Sequence, residues 1–525
     1  MVPYGVSSKP IADYGLLSDC RSAALVARDG SIDWWAPRRF DRPSIFARLL
    51  DDDAGYWRIA PAGEATSERR YADRTLILET TFATPTGELV LTDGLGIGPN
   101  PGGHDLGSDP PHALLRVVEC RSGFVDVDFA FVPRPEYGIV EPMLQARADG
   151  IVAYGGPDLL FLTASMPLEI ANCAATARFR LTQGERRASA LRHRFSEDAN
   201  APQWSDEDIY AEIERTRESW QRWSGLHQSY RGPWEAAVHH SGRVLQSLTY
   251  APTGAMVAAP TTSLPEVVGG ARNWDYRFVW VRDASLTMDA LWIAACRDEA
   301  ERFFDWLARV AAGRIREHGV SVMFGIGGEH DLQERELPHL RGYRGSTPVR
   351  VGNDAWKQRQ IDVYGELLGA AQRYARELGT INEPARTFLI ELADTALAVF
   401  SQTDHGIWET RGEPRHFTYS KVMCWAALDA AIALAPQLAC PDRVAGWVEA
   451  KDRMADEIRA RAWNPRLGAY GAAYDGDDLD ASVLLMAVVG FAPARTIGCA
   501  RRSRRSRVSS RTNAGSCAAI VAWTD

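Results

Sequence analysis

The sequence predicts an α+β multidomain chain: an N-terminal antiparallel β-sandwich, a helical linker and then a long helical domain. Three observations predict it. A chain of 525 residues is too long for one ordinary core, so two or three domains are expected. Its first two hundred or so residues are short β-branched and aromatic runs separated by turn signals. Near residue 205 that pattern gives way to apolar residues at helical spacing.

Taken in order, strands are expected at 23–26, 31–35, 56–59, 75–82, 88–92, 114–120, 125–131 and 177–181. Asp-Gly, Pro-Thr-Gly, Ser-Gly and Gly-Gly-Pro turns separate them, as antiparallel strands of a sandwich require. The Gly-, Pro- and Asp-rich segment 100–112 reads as an exposed loop. The first domain is thus placed at 1–204. The run SDEDIYAEIERTRESWQRW opens with a Ser/Asp cap and continues as a charged helix, giving a linker at 205–232 in which Trp220 and Trp223 serve packing. Helices follow at about 233–250, 282–297, 299–318, 355–377, 385–402, 417–435, 442–462 and 479–489. The connections 259–280, 324–353, 404–416 and 463–478 are far longer than antiparallel helices need, and they carry aromatics and charges. Such loops are expected to form the working face.

Composition excludes several functions. Hydrophobic content of 46% and charged content of 24% are ordinary for a globular protein. A net charge of −9 argues against nucleic-acid or anionic-membrane partners. No run reaches the roughly 18 apolar residues of a spanning helix, and MVPYGVSSKP lacks the features of a signal peptide. The eight cysteines show no CxxC or other metal-ligand spacing, so reduced thiols in a cytoplasmic protein, with no metal and no cofactor, are expected. No Gly-rich phosphate loop follows a strand, and neither GxSxG nor HExxH occurs.

The stretch 269–292, GGARNWDYRFVWVRDASLTMDALW, concentrates chemistry. Trp274, Tyr276, Phe278 and Trp280 alternate with Arg272, Asp275, Arg277, Arg282 and Asp283 at the mouth of a helix. Flat rings and charged forks suit a polyhydroxylated ligand; a structural Arg–Asp network beside a Trp-rich core is the competing reading. In DHGIWETRGEPRH, Glu409 directly follows Trp408. An indole that excludes water would raise the carboxyl pKa, as a general acid requires, whereas pairing with Arg411 or Arg415 would lower it. The charged segment 329–353 reads either as a lid or outer subsite or as a solvated loop.

Longer motifs then point to a family. IADYGLLSDCRSAALVARDGSIDWW resembles the trehalase-like N-terminal domain, and TGAMVAAPTTSLPE followed by RNWDYRFVWVRDA resembles the start of the catalytic domain of glycoside hydrolase family 15. PVRVGNDAWKQRQIDVYGE, GIWETRGEPRHFTYSKVMCWAALD and DDLDASVLL follow in the family's order, so the resemblance runs from about Ile11 to Ala494 and is nearest to the bacterial glucoamylase and trehalase-like branch. It implies a barrel of six helical hairpins, an (α/α)6 barrel, over 233–494. It also implies Glu409 as general acid, with Trp280, Arg282, Asp283, Trp408, Asp480 and, as a weaker match, Asp362 at the sugar subsite. The implied partner is a small carbohydrate, first of all α,α-trehalose, then malto-oligosaccharides cleaved as a glucoamylase would.

Inversion needs a second carboxylate about 6.5–9.5 Å from the acid to activate water. The family carries that base late in the chain in a short Glu-containing motif, which is absent here. The final residues 495–525 hold Arg495, Arg501, Arg502, Arg504, Arg505, Arg507 and Arg511 against a single acid, Asp525, a local charge of +6. They read as a frame shift or truncation near Ala494, or else as a basic arm. The first reading leaves the barrel incomplete, the general base absent, hydrolysis impaired and apolar faces open to self-association into a homo-oligomer. Two further readings stay open: a non-catalytic sugar-binding remnant, and a phosphorylase in which phosphate is itself the nucleophile.

Overall fold

A computed structural model describes residues 9–195, 204–294, 297–311, 319–378, 381 and 383–493. The basic segment 495–525 lies outside the described residues. The chain divides into two units, one of residues 1–279, 290–303 and 325–353, the other of 280–289, 304–324 and 354–525.

The first unit is built on one long strand, Ala113–Val132. Its first half pairs antiparallel with Gly87–Leu95 and Arg186–Phe195; its second half pairs with Tyr56–Pro61 and Ala174–Thr182. The strand therefore belongs to two layers. One continues through Ser31–Trp35, Ala23–Ala27 and Tyr14–Ser18, the other through Asp158–Ala164, Gly150–Gly155 and Met143–Arg147. Trp57, Phe129 and Phe131 from the first layer and Leu89, Leu91, Leu114, Leu160 and Leu191 from the second share one buried core. The expected strands 114–120 and 125–131 are thus a single strand, because the polar residues between them change layer without reversing the chain. Arg186–Phe195 escaped sequence reading because its inward positions include Arg192 and His193, polar residues buried by partners from elsewhere. His193 Nε2 meets Asp158 at 2.7 Å.

Helix α1 (Asp206–His227) starts with a capping box: Ser205 Oγ accepts from Asp208 N, and Asp208 accepts from Ser205 N. Ile209 and Ile213 bury against Ile77, Ala113, Leu115, Ala188 and Ala190, so the expected linker is a packed layer of this unit. Segment 100–112, expected to be exposed, is also tied down: Arg222 donates to Asn100 O at 2.9 Å, and Asn100 is buried. Gly103 has φ +84, and a Cβ there would stand 2.1 Å from Leu226, which is why the loop can lie this close to the helix. Helix α2 (Glu235–Ser247) follows.

Residues of α3 (Val281–Ile293) and α4 (Arg297–Ala311) are divided between the two units, and the second unit also contains α5 (Val363–Leu378), α6 (Glu383–Val399), α7 (Thr418–Leu438) and α8 (Pro441–Ala462). Among the described residues α7 alone is long and apolar enough to cross a membrane; it is instead the core helix here, mostly buried. It packs on α5, α6 and α8. Gly365 permits the closest approach: a Cβ there would stand 2.2 Å from Met423 O. Where one helix over 355–377 was expected, α5 starts only at Val363. Ile361 N donates instead to Asp404 and Arg359 N to His405 Nδ1, so residues 358–362 stay irregular.

Candidate active site

The stretch 269–292 divides into two jobs. Asp275 and Arg277 form a bidentate pair, 2.9 and 2.7 Å, in which both side chains are almost wholly buried, and Arg277 Nη1 also donates to Arg42 O. Its guanidinium lies over Trp34 and Tyr137. For these residues the structural-network reading holds. Segment 329–353 is likewise pinned inside the first unit: Arg341 forks onto Asp51 at 2.9 and 2.7 Å, and Tyr343 is buried.

Trp280, Arg282 and Asp283 do the other job, in the second unit with Glu409. Trp280 Nε1 donates to Glu409 Oε1 at 2.6 Å, and Arg282 Nη2 stands 3.4 Å from the same oxygen. Arg282 also donates to Ile407 O at 3.0 Å and lies 3.7 Å from Asp283. Glu409 has φ +53, a left-handed turn closed by its N–H on Gly406 O. That turn sends the side chain toward Trp280 while Trp408 projects outward.

Burial raises the Glu409 carboxyl above its usual range, against the opposing pull of Arg282 and the Trp280 hydrogen bond. The outcome matches the expected direction but the cause differs. Trp408 is 62% exposed and desolvates little; its Nε1 instead donates to Asp480 Oδ2 at 2.7 Å. The indole at the carboxyl is Trp280, 129 positions away in sequence. Asp480 also accepts from Ser482 N at 2.7 Å and so caps the turn Ala481–Leu484. Asp283 is half exposed, and its carboxyl too is raised by the surrounding protein against Arg282.

Asp362 is fully buried, and neither carboxylate oxygen has a hydrogen-bond partner among the described residues. Burial pushes it up to about 7, opposed by Arg282 and assisted by Asp404 and Glu409. Sequence reading missed its neighbours. Glu366, one helical turn on, is pushed up to about 7 by burial and accepts from Tyr419 Oη, while Ser285 Oγ donates to Glu366 O at 3.0 Å. Asp404 is buried and accepts from Ser420 Oγ at 2.7 Å. The signal was the i,i+4 spacing of Asp362, just before α5, and Glu366 in its first turn, which brings two carboxyls to one end of the helix. Arg282 thus acts on several carboxyls at once, and two of them, Glu409 and the more exposed Asp283, are both raised and within reach of solvent.

A linkage prediction follows. Asp362 and Glu366 have folded-state pKa values above the unfolded ones, so the stability they contribute is complete below about pH 4 and is lost as pH rises through about 7. Asp362→Asn should flatten this fall, by an order of a few kcal/mol at pH 8 relative to wild type. Urea unfolding of both proteins between pH 4.5 and 8 checks it; parallel curves would contradict it.

Comparison with known proteins places these residues in a family. The model of glycosyl hydrolases family 15 matches residues 234–510 and so runs past Ala494, where the resemblance was expected to stop; the trehalase-like N-terminal model matches residues 3–208. The chain is 38% identical over 507 residues to a trehalase of Mycolicibacterium smegmatis, covering 92% of this chain and 75% of that protein. It is 36% identical over 509 residues to a trehalase of Mycobacterium tuberculosis, covering 92% and 73%. Among solved structures, a bacterial glucoamylase complexed with acarbose superposes with a TM-score of 0.69 at 13% identity, covering 95% of this chain and 78% of that one. That likeness shows the fold: an antiparallel sheet domain followed by the helical domain of a glucoamylase. The chain belongs to glycosyl hydrolases family 15 and is an O-glycosyl hydrolase.

Proposed function

We propose that the chain binds α,α-trehalose and cleaves it with inversion, Glu409 protonating the leaving oxygen. The observation that carries this is the Glu409 carboxyl, raised by burial and aimed by Trp280 and Arg282. The two relatives at 38% and 36% identity, both named trehalase, support the choice of disaccharide. In this reading Trp280, Arg282 and Asp283 grip the glucosyl unit that is cleaved. Trp408, held by Asp480, presents an exposed indole face to a sugar ring. Asp362 is buried near Arg282 with its carboxyl pushed up to about 7, so at neutral pH it adds less than a full negative charge to the site. The domains are assigned as 1–204, 205–232 and 233–494, with 495–525 as a basic tail.

The base is assigned to no described residue. Asp362 and Glu366 are buried, which sets both apart from the exposed face on which water would be activated. Asp283 is engaged with Arg282. We therefore expect the 525-residue polypeptide to bind trehalose and to turn it over more slowly than the M. smegmatis relative. Calorimetry paired with glucose release from trehalose and maltose tests this. Maltose preferred over trehalose would overturn the choice of substrate; turnover equal to the relative's would overturn the deficit.

A further inference from the structure

Away from that site, in the first unit, three segments far apart in sequence bring metal-ligand chemistry together. His104 comes from the loop 100–112, His227 from the last turn of α1, and Asp298 from the first turn of α4. One donor atom from each lies within 4.8 Å of the others. Acidic residues in the first turn of a helix are accounted for by the helix dipole alone. Two imidazoles delivered to them from other segments are not.

The buried side of the cluster has the form of a ligand support. His227 is 5% exposed; its Nδ1 lies 3.6 Å from Glu299 Oε2, and its Nε2 has no hydrogen-bond partner among the described residues. Glu299, 3% exposed, is anchored by Trp223 Nε1 on Oε1 at 2.9 Å, and its Oε2 also lacks a hydrogen-bond partner among the described residues. The His227 ring stacks on Trp223 at 5.5 Å and meets His104 edge-on at 5.0 Å. Metal-binding histidines commonly turn one ring nitrogen to a carboxylate and offer the other to the ion. Here Glu299 is that carboxylate and Nε2 the nitrogen left over. On the outer side, His104 Nδ1 is 2.9 Å from Asp298 Oδ2, both side chains being about half exposed, so an ion can enter. Arg302 holds the loop by donating to His104 O at 2.7 Å.

We propose that His104, His227 and Asp298 bind one Zn²⁺ or a similar borderline divalent ion, with Glu299 as positioning residue and water completing the shell. Two imidazoles and one carboxylate around an open position suit such an ion. In a tetrahedral shell the donors stand roughly 3.4 Å apart, and the two half-exposed side chains can rotate to close that gap. The ion pins loop 100–112 to α1 and to the start of α4, and so acts on folding stability.

Titration of the metal-free full chain with Zn²⁺ by calorimetry, and with Co²⁺ by visible absorption, tests this. Expected are one site per chain, a tetrahedral Co²⁺ spectrum without thiolate charge-transfer bands, and a Tm that rises with Zn²⁺. His104→Ala and Asp298→Asn, at half-exposed positions that folding tolerates, should each weaken binding at least about tenfold and abolish the Tm rise. Glu299→Gln should weaken it about 10-fold. No saturable 1:1 binding, a thiolate spectrum, or affinity unchanged in both His104→Ala and Asp298→Asn would overturn the proposal.

Discussion

Glu409→Gln is expected to lower trehalose hydrolysis by about 10²–10⁴-fold, the usual contribution of a positioned acid. The amide oxygen can still accept from Trp280 Nε1 and Arg282, the two donors that hold Glu409 Oε1. The pocket therefore keeps its shape, and calorimetric trehalose affinity should change by no more than a few fold. The pH profile separates acid catalysis from a structural role. In the wild type the alkaline limb reports loss of the Glu409 proton, at a pH above the ordinary carboxylate range because burial raises this group. In the variant that limb should vanish from the residual rate. α-Glucosyl fluoride, whose leaving group needs little protonation, should lose far less rate than trehalose. A variant retaining half the trehalose rate, or losing equal fractions on both substrates, would remove Glu409 from the role of acid.

The second large effect is on folding. Arg116→Met should destabilise the first unit by about 3–5 kcal/mol, seen as a fall in its Tm of roughly 10 °C. Arg116 and Asp93 have fully buried side chains, linked through Nε to Oδ1 at 2.8 Å. Arg116 also donates to Trp57 O and Gly30 O, both at 2.6 Å, and so ties the long strand to the turn before Ser31. Methionine fills the volume but leaves Asp93 buried without its cation. Burial already pushes that carboxyl up in the wild type, with Arg116 opposing. Adding Asp93→Leu should recover much of the loss, since a buried pair replaced on both sides by apolar groups is often neutral. Calorimetric scans of the single and double variants decide it; a single variant within 0.5 kcal/mol, the ordinary spread of surface changes, would contradict it.

How far the site was legible varied by residue. Arg282, Asp283 and Glu409 stand in long ordered motifs and were named from them. The reason the Glu409 proton is held was misread, since a neighbour in sequence, Trp408, was taken for the desolvating indole. Adjacent residues with different backbone angles point apart, and φ +53 at Glu409 separates these two. Glu366 and Tyr419 went unnoticed because each is unremarkable alone; their hydrogen bond spans 53 positions. The metal-ligand cluster left no spacing signal for the same reason, its three donors coming from three unconnected segments.

From the amino-acid order alone came the change from strand to helix near residue 205, the alternation of the sandwich strands, and the motifs that propose Glu409 as the acid. These rest on local periodicity and on contiguous motifs, which a linear string carries. Only the folded chain decided that Asp275–Arg277 is a buried scaffold pair while Arg282 reaches Glu409. It alone put Trp280 against Glu409, raised the Asp362 carboxyl by burial, and gathered His104, His227 and Asp298. Burial and pairing set those outcomes, and both depend on which remote segments arrive at a side chain.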